Sequence, residues 1–107
     1  MDLNALQSRL RQFAAERNWE SYLNPKNLAM ALTVEAAELQ EIFQWLTPEE
    51  AANISARPDA HQHLGEEVAD VLMYLVQLAD RSGIDLEAAV ERKLLLNARK
   101  YPPPPQA

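Results

Sequence analysis

The residues of this chain best suited to chemistry are four carboxylates set in two pairs, Glu35-x-x-Glu38 and Glu67-x-x-Asp70. Three-residue spacing puts both members of a pair on one face of a helix. Counted at helical pitch through Leu28, Leu32, Leu39 and Ile42, Glu35 falls near the middle of the apolar stripe and Glu38 at its edge. Glu67 and Asp70 flank a second stripe of Leu64, Val68, Val71, Leu75 and Leu78. Carboxylates converging on a helical core are costly unless cations hold them ionised. Oxygen donors, with no cysteine in the chain and no histidine at i+3, favour Mg2+ over zinc or iron. Several carboxylates holding one or more Mg2+ ions against substrate phosphates is what metal-assisted phosphoryl chemistry requires. The plainer reading is solvated surface acids, and placement on the stripes argues against it. Glu41 and Glu66 project away from the stripes and are expected in water.

Two further groupings could serve the same chemistry. Lys93, Asn97 and Lys100 stand at i, i+4 and i+7, with Arg99 and Tyr101 adjacent, and suit a polyphosphate tail. Cations near a helix C-terminus also complement the dipole, so this stripe alone is ambiguous. Among the few aromatic residues, Trp19 lies in a polar loop, Trp45 ends a helix, and Tyr74 lies one turn beyond Asp70. Rings beside a metal–phosphate site can sandwich a base, although each alone is an ordinary packing residue. His63 lies one turn before Glu67 on the same flank, but in a first helical turn, where exposure is the default. It is not counted among the ligands.

The elements that must position these residues are helices. A chain of 107 residues makes one domain with a modest core. Only 2 glycines, many alanines and leucines, and little strand-type alternation predict an all-α fold. A net charge of −6 disfavours a nucleic-acid polymer as partner, but not a nucleotide brought with Mg2+. With no cysteine and no basic, apolar leader after Met1, a cytoplasmic protein is expected. Val68 to Ala79, the longest apolar stretch, is interrupted by Asp70 and Gln77, so no membrane association is expected. Asp2 caps a first helix to about Arg17, and Asn24-Pro25 opens a second to about Trp45. Thr47-Pro48-Glu49-Glu50 reads as a capping box for a short helix. Asp59 and Gln62 read as another box, opening a helix that ends before Gly83. Asp85 caps the last helix, which runs to about Lys100 and is stopped by Tyr101-Pro102. The expected organisation is one all-α domain, residues 1–101, and a Pro-rich tail, residues 102–107. In the long third helix Ala69, Leu72, Met73 and Val76 make the side opposite the main stripe apolar too. Four short helices cannot wrap one of their own so fully, which predicts an oligomer.

The run Phe13 to Trp19 with Pro25-Lys26-Asn27-Leu28 resembles the MazG-like all-α nucleotide pyrophosphohydrolases. So do Glu35-Ala36-Ala37-Glu38-Leu39 through Phe43-Gln44-Trp45, Glu66 to Leu72 with Tyr74, and the ending Lys93, Asn97, Lys100-Tyr101-Pro102. Their dCTP pyrophosphatase branch is the most similar, over nearly the whole chain outside its ends and the 47–61 connection. The resemblance implies a four-helix bundle completed by oligomerisation, as a homotetramer (a dimer of dimers) with its site near a subunit interface. It implies cleavage of a nucleoside triphosphate, dCTP or a 5-modified dCTP, to monophosphate and pyrophosphate, in sanitation of the nucleotide pool. By position, it implies that Glu35, Glu38, Glu67 and Asp70 bind Mg2+. Trp19, Trp45 and Tyr74 would line the base pocket, Lys93, Asn97 and Lys100 would face the phosphates, and Asn27 would lie near the site. One carboxylate would take the water proton; Glu38 is the leading candidate, though sequence does not separate base from ligand. Animal members carry a histidine on the base side where this chain has Leu10, so relaxed cytosine preference is expected. The alternatives are a related dUTP or phosphoribosyl-ATP pyrophosphohydrolase, or a non-catalytic helical oligomerisation module. The module explains the apolar helix but not the acids on the stripes. A di-iron bundle would call for Glu-x-x-His, which neither pair supplies.

Overall fold

Side chains that satisfy the free N–H groups at helix starts define most of the frame. Asp2 accepts from the N–H groups of Asn4 and Ala5 (3.0 and 3.1 Å) and opens α1, Leu3–Glu16. Asn24 accepts from Asn27 N–H at 2.9 Å, with proline next, and opens α2, Pro25–Phe43. Thr47 and Glu50 cap each other reciprocally and open the five-residue α3, Pro48–Ala52. Asp85 accepts from Ala88 N–H at 3.1 Å and opens α5, Leu86–Lys100. The frame comes from a computed structural model that describes residues 1–105. Gln106 and Ala107, the end of the Pro-rich tail, lie outside the described residues.

The remaining long helix, α4, spans Pro58–Arg81 and departs from expectation at its start. The Asp59–Gln62 box does not form. Pro58, with its fixed φ and no N–H to satisfy, is the first helical residue, and the N-cap is Arg57 without a side-chain bond. Asp59 falls inside the first turn, where its charge complements the dipole. A 3-10 turn at Ile54–Ala56, not expected from the sequence, precedes it, and α2 stops two residues before Trp45. Asn18 (φ 56°) and Gly83 (φ 68°) end α1 and α4 in the left-handed region. In each case the next N–H reaches back five residues, Trp19 to Ala14 O (3.0 Å) and Ile84 to Ala79 O (2.8 Å).

Packing is dominated by α2 on α4. The two run antiparallel, since Glu35 meets Glu67 while Ile42 shares a surface depression with Ala60. Helix α1 lies along the far half of α4, tied there by Asp80. The Asp80 carboxylate accepts from Arg11 Nε at 2.7 Å, from a second Arg11 N–H and from the Gln7 amide. Val76, one turn before Asp80 on the same face, is 3% exposed. The expected second apolar side of this helix is therefore not all free surface, because Val76 belongs to the chain's own core. Ala69 on that side is exposed, and part of the main stripe is open as well, with Val68 49% exposed and Leu75 also exposed. Buried apolar residues among the described ones are few, namely Ala14, Leu28, Val76 and Ala79, and α5 contributes none. The radius of gyration is 17.3 Å, against about 13 Å for a self-contained domain of this length. Among the described residues all regular structure is helical, as expected.

Candidate active site

The α2–α4 register brings three of the four predicted acids together. Carboxylate oxygens of Glu35, Glu38 and Glu67 all lie within 4.8 Å of one another. Glu67 is only 8% exposed, which is rare for a carboxyl side chain. Glu35 Oε2 and Glu67 Oε2 are buried without a hydrogen-bond partner. Buried carboxylate oxygens in that state are costly unless a proton or a cation satisfies them. The Glu35 carboxyl is accordingly pushed up to about 7 from its ordinary 4.5. Its contact with the Glu67 carboxyl is the main cause, followed by burial and then by Glu38. A proton on Glu35 lets it donate to Glu67, and a cation between the two would remove the need for that proton. An all-oxygen donor set with two unsatisfied buried oxygens fits a hard divalent cation.

Asp70 is not a member of the three-acid group. It is half-buried, and burial, then the charge of Glu35, then that of Asp70 raise the pKa of the half-buried Tyr74 hydroxyl. Tyr74 is thus the one predicted aromatic ring beside the acids. His63, set aside on sequence grounds, sits with Nε2 3.4 Å from Glu67 Oε1. It lines a surface depression with Glu38, Glu41, Ile42 and Ala60. Its i,i+4 spacing from Glu67 was the signal that could have included it.

The other predicted site residues are dispersed in a single chain. Asn27 uses its side-chain amide to donate to Tyr22 O at 2.9 Å and stands eight residues before Glu35, about 12 Å along the helix. Trp19 packs edge-on against Phe13 with centroids 5.7 Å apart. Trp45 is 87% exposed beyond the other end of α2, whose 19 residues rise about 28 Å. One chain therefore does not sandwich a base between the two tryptophans. Lys93, Asn97 and Lys100 lie on α5, and no ion pair joins these lysines to an acid among the described residues. The Lys100 ammonium instead lies 5.2 Å over the Tyr101 ring. A cavity of about 800 Å³ between the start of α1 and the α4–α5 turn holds none of the predicted site residues.

Carboxylates meeting across a helix pair are a donor set suited to a hard divalent cation, and the stretch that carries them is shared with known proteins. The sequence model of the MazG-like family matches residues 30–106, which include both acid pairs, and the chain belongs to that family. A solved structure of a pyrophosphatase from Archaeoglobus fulgidus superposes with a TM-score of 0.82 and is 43% identical, over 94% of this chain and 92% of that one. Human dCTP pyrophosphatase 1 is 47% identical over 91 residues, 85% of this chain and 54% of its own length. The rat protein of the same name is 45% identical over the same share. The chain thus spans about half the length of the curated relatives it matches. Among the described residues no helix is long and apolar enough to cross a membrane.

Proposed function

We propose that this chain is a Mg2+-dependent nucleoside triphosphate pyrophosphohydrolase, cleaving between the α and β phosphates to give a nucleoside monophosphate and pyrophosphate. The observation that carries this reading is the trio Glu35, Glu38 and Glu67, with buried Glu35 and Glu67 oxygens that have no hydrogen-bond partner among the described residues. When bound, Mg2+ supplies neutralisation of the triphosphate and polarisation of the attacking water. Glu35 and Glu67 hold the charge at the buried end, and Asp70 completes the ligand set. Glu38, lining the open depression, accepts the proton of the attacking water. Tyr74 provides the near wall of the base pocket.

Two relatives bearing the name dCTP pyrophosphatase 1 support dCTP as substrate, and a 5-modified dCTP is part of the proposal. The remaining groups reach the site by assembly. Exposed Val68, Leu75, Leu94 and Leu95 are faces that a second copy can cover, and a partner's α5 can then bring its cationic stripe to the phosphates. A homotetramer arranged as a dimer of dimers satisfies this need. The test is release of pyrophosphate across all common dNTPs and NTPs and 5-methyl-dCTP, with and without Mg2+, for wild type and Glu38→Gln. Mg2+-dependent release, best with dCTP or its 5-methyl form and reduced at least a hundredfold in the variant, is expected. Absence of release from every triphosphate would refute the proposal and leave the oligomerisation module as the reading.

A further inference from the structure

We infer that His63 gives the carboxylate site a nitrogen ligand, so that the site holds a first-row transition cation through one donor, the imidazole, that Mg2+ does not use. The inference rests on the proposed metal site and extends it in one respect, the choice of ion. His63 and Glu67 are one turn apart on α4, and their Nε2 and Oε1 atoms are 3.4 Å apart. Two donors about 2.1 Å from a common ion stand about 3.0 Å apart at right angles and about 3.4 Å apart at the tetrahedral angle. The pair is therefore already at the separation that one ion would impose. From the facing helix, Glu38 borders the same depression as His63.

Glu67 supplies the independent observation. It is 8% exposed, and while Oε1 faces His63, Oε2 is buried and unpartnered. A simple surface ion pair would not draw a carboxylate into the interior and leave one of its oxygens unsatisfied. A carboxylate spanning a buried and an open donor position would do so, with its inner oxygen toward Glu35 and its outer oxygen toward His63. The inner position is all oxygen and suits Mg2+, whereas the outer position adds imidazole to Glu38 and Glu67. Imidazole binds Zn2+ well and Mg2+ poorly, so His63 should matter for one ion and not for the other.

The experiment measures binding of Mg2+ alone and Zn2+ alone, by calorimetry without nucleotide, to the full chain as wild type, His63→Ala and His63→Gln. Pulsed electron paramagnetic resonance of the Mn2+-loaded proteins reads 14N coupling directly. Either replacement should weaken Zn2+ at least tenfold, change Mg2+ by less than twofold, and abolish a 14N coupling present in wild type. Exposure of the His63 side chain makes both replacements compatible with folding, and unchanged circular dichroism checks this. Equal loss of both ions, no change in Zn2+ affinity, or no 14N coupling in wild type would overturn the inference while leaving the Mg2+ site in place. A wild-type protein that binds neither ion would overturn both.

Discussion

Replacing Glu35 with glutamine should make the metal-free protein more stable, although it removes a partly buried side chain from the centre of the molecule. The folded chain holds the Glu35 carboxyl at about 7, against 4.5 ordinarily, chiefly through Glu67 and burial. Between those values the native state keeps a proton that the unfolded chain has released. Stability from this group is thus fully present below pH 4.5 and is lost as pH rises through about 7. A difference of that size corresponds to about 3 kcal/mol between the two ends of the window. Glutamine keeps the shape and carries no charge to repel Glu67 and Glu38, so the variant should be free of this loss. For a chain of about 100 residues, 1 kcal/mol moves Tm by about 4–8 °C, so a gain of roughly 10 °C or more is expected at pH 8. The assay is thermal unfolding in EDTA at one fixed protomer concentration, from pH 4 to 8, for both proteins. The curves should coincide near pH 4 and diverge between pH 5 and 7. Saturating Mg2+ should raise the wild type and leave the variant nearly unmoved. Parallel curves, or a variant less stable than wild type at pH 8 in EDTA, would refute the claim that these carboxylates repel one another.

Arg11→Ala should destabilise the fold by about 1–2 kcal/mol, because the mostly buried Asp80 carboxylate loses its bidentate partner. The Arg11 hydrogen bond holds Asp80 below its ordinary 3.8, so that stability is present above this value and lost as pH falls through the lower folded one. Denaturant titrations between pH 2 and 6 should show a shallower acid limb in the variant. Trp45→Ala should change stability by less than about 0.5 kcal/mol, since the ring is exposed, yet raise KM for every base alike. Steady-state kinetics with dCTP and dUTP would check this, and an unchanged KM would remove Trp45 from the pocket. Leu95→Glu, at a position 65% exposed in one chain, should shift sedimentation toward smaller or unfolded species at micromolar concentration. An unaltered oligomer, or a wild type that is monomeric, would refute assembly through α5.

What could be read from the sequence depended on how local each interaction is. Asp2, Asn24, Thr47 and Asp85 were legible as helix starts because each side chain bonds to an N–H within three residues. The start of α4 was misplaced because Asp59 is as good a capping type as these, while Pro58 before it had already begun the helix. The acids were legible because i,i+3 spacing on an apolar stripe forces carboxylates toward a packed neighbour. Only the antiparallel register, which no spacing encodes, chose which of them meet. Residues three apart differ by about 60° around a helix, and in this register Glu67 joins the two acids of α2 while Asp70 does not.

Periodicity says that a face is apolar but not which chain covers it, and the misread side of α4 follows from that. Val76 lies in the chain's own core, whereas Val68 and Leu75, on the stripe that looked most internal, remain open. The same physics separates the parts of the site. Carboxylates repel, and their burial must be enforced by a rigid scaffold, here the α2–α4 hairpin within one chain. Stacking rings and phosphate-binding cations need no such enforcement and can be delivered by a neighbouring copy. Trp19 and Trp45 at opposite ends of α2, and Lys93 and Lys100 on a helix that buries nothing, are placed as such delivered groups would be. If so, metal binding and catalysis must separate on dissociation. A Leu95→Glu protein that remained folded as a smaller species should still bind Mg2+ at Glu35, Glu38, Glu67 and Asp70, yet hydrolyse nucleotide poorly. Full activity in that species would place the whole site in one chain and leave the exposed faces without a catalytic role.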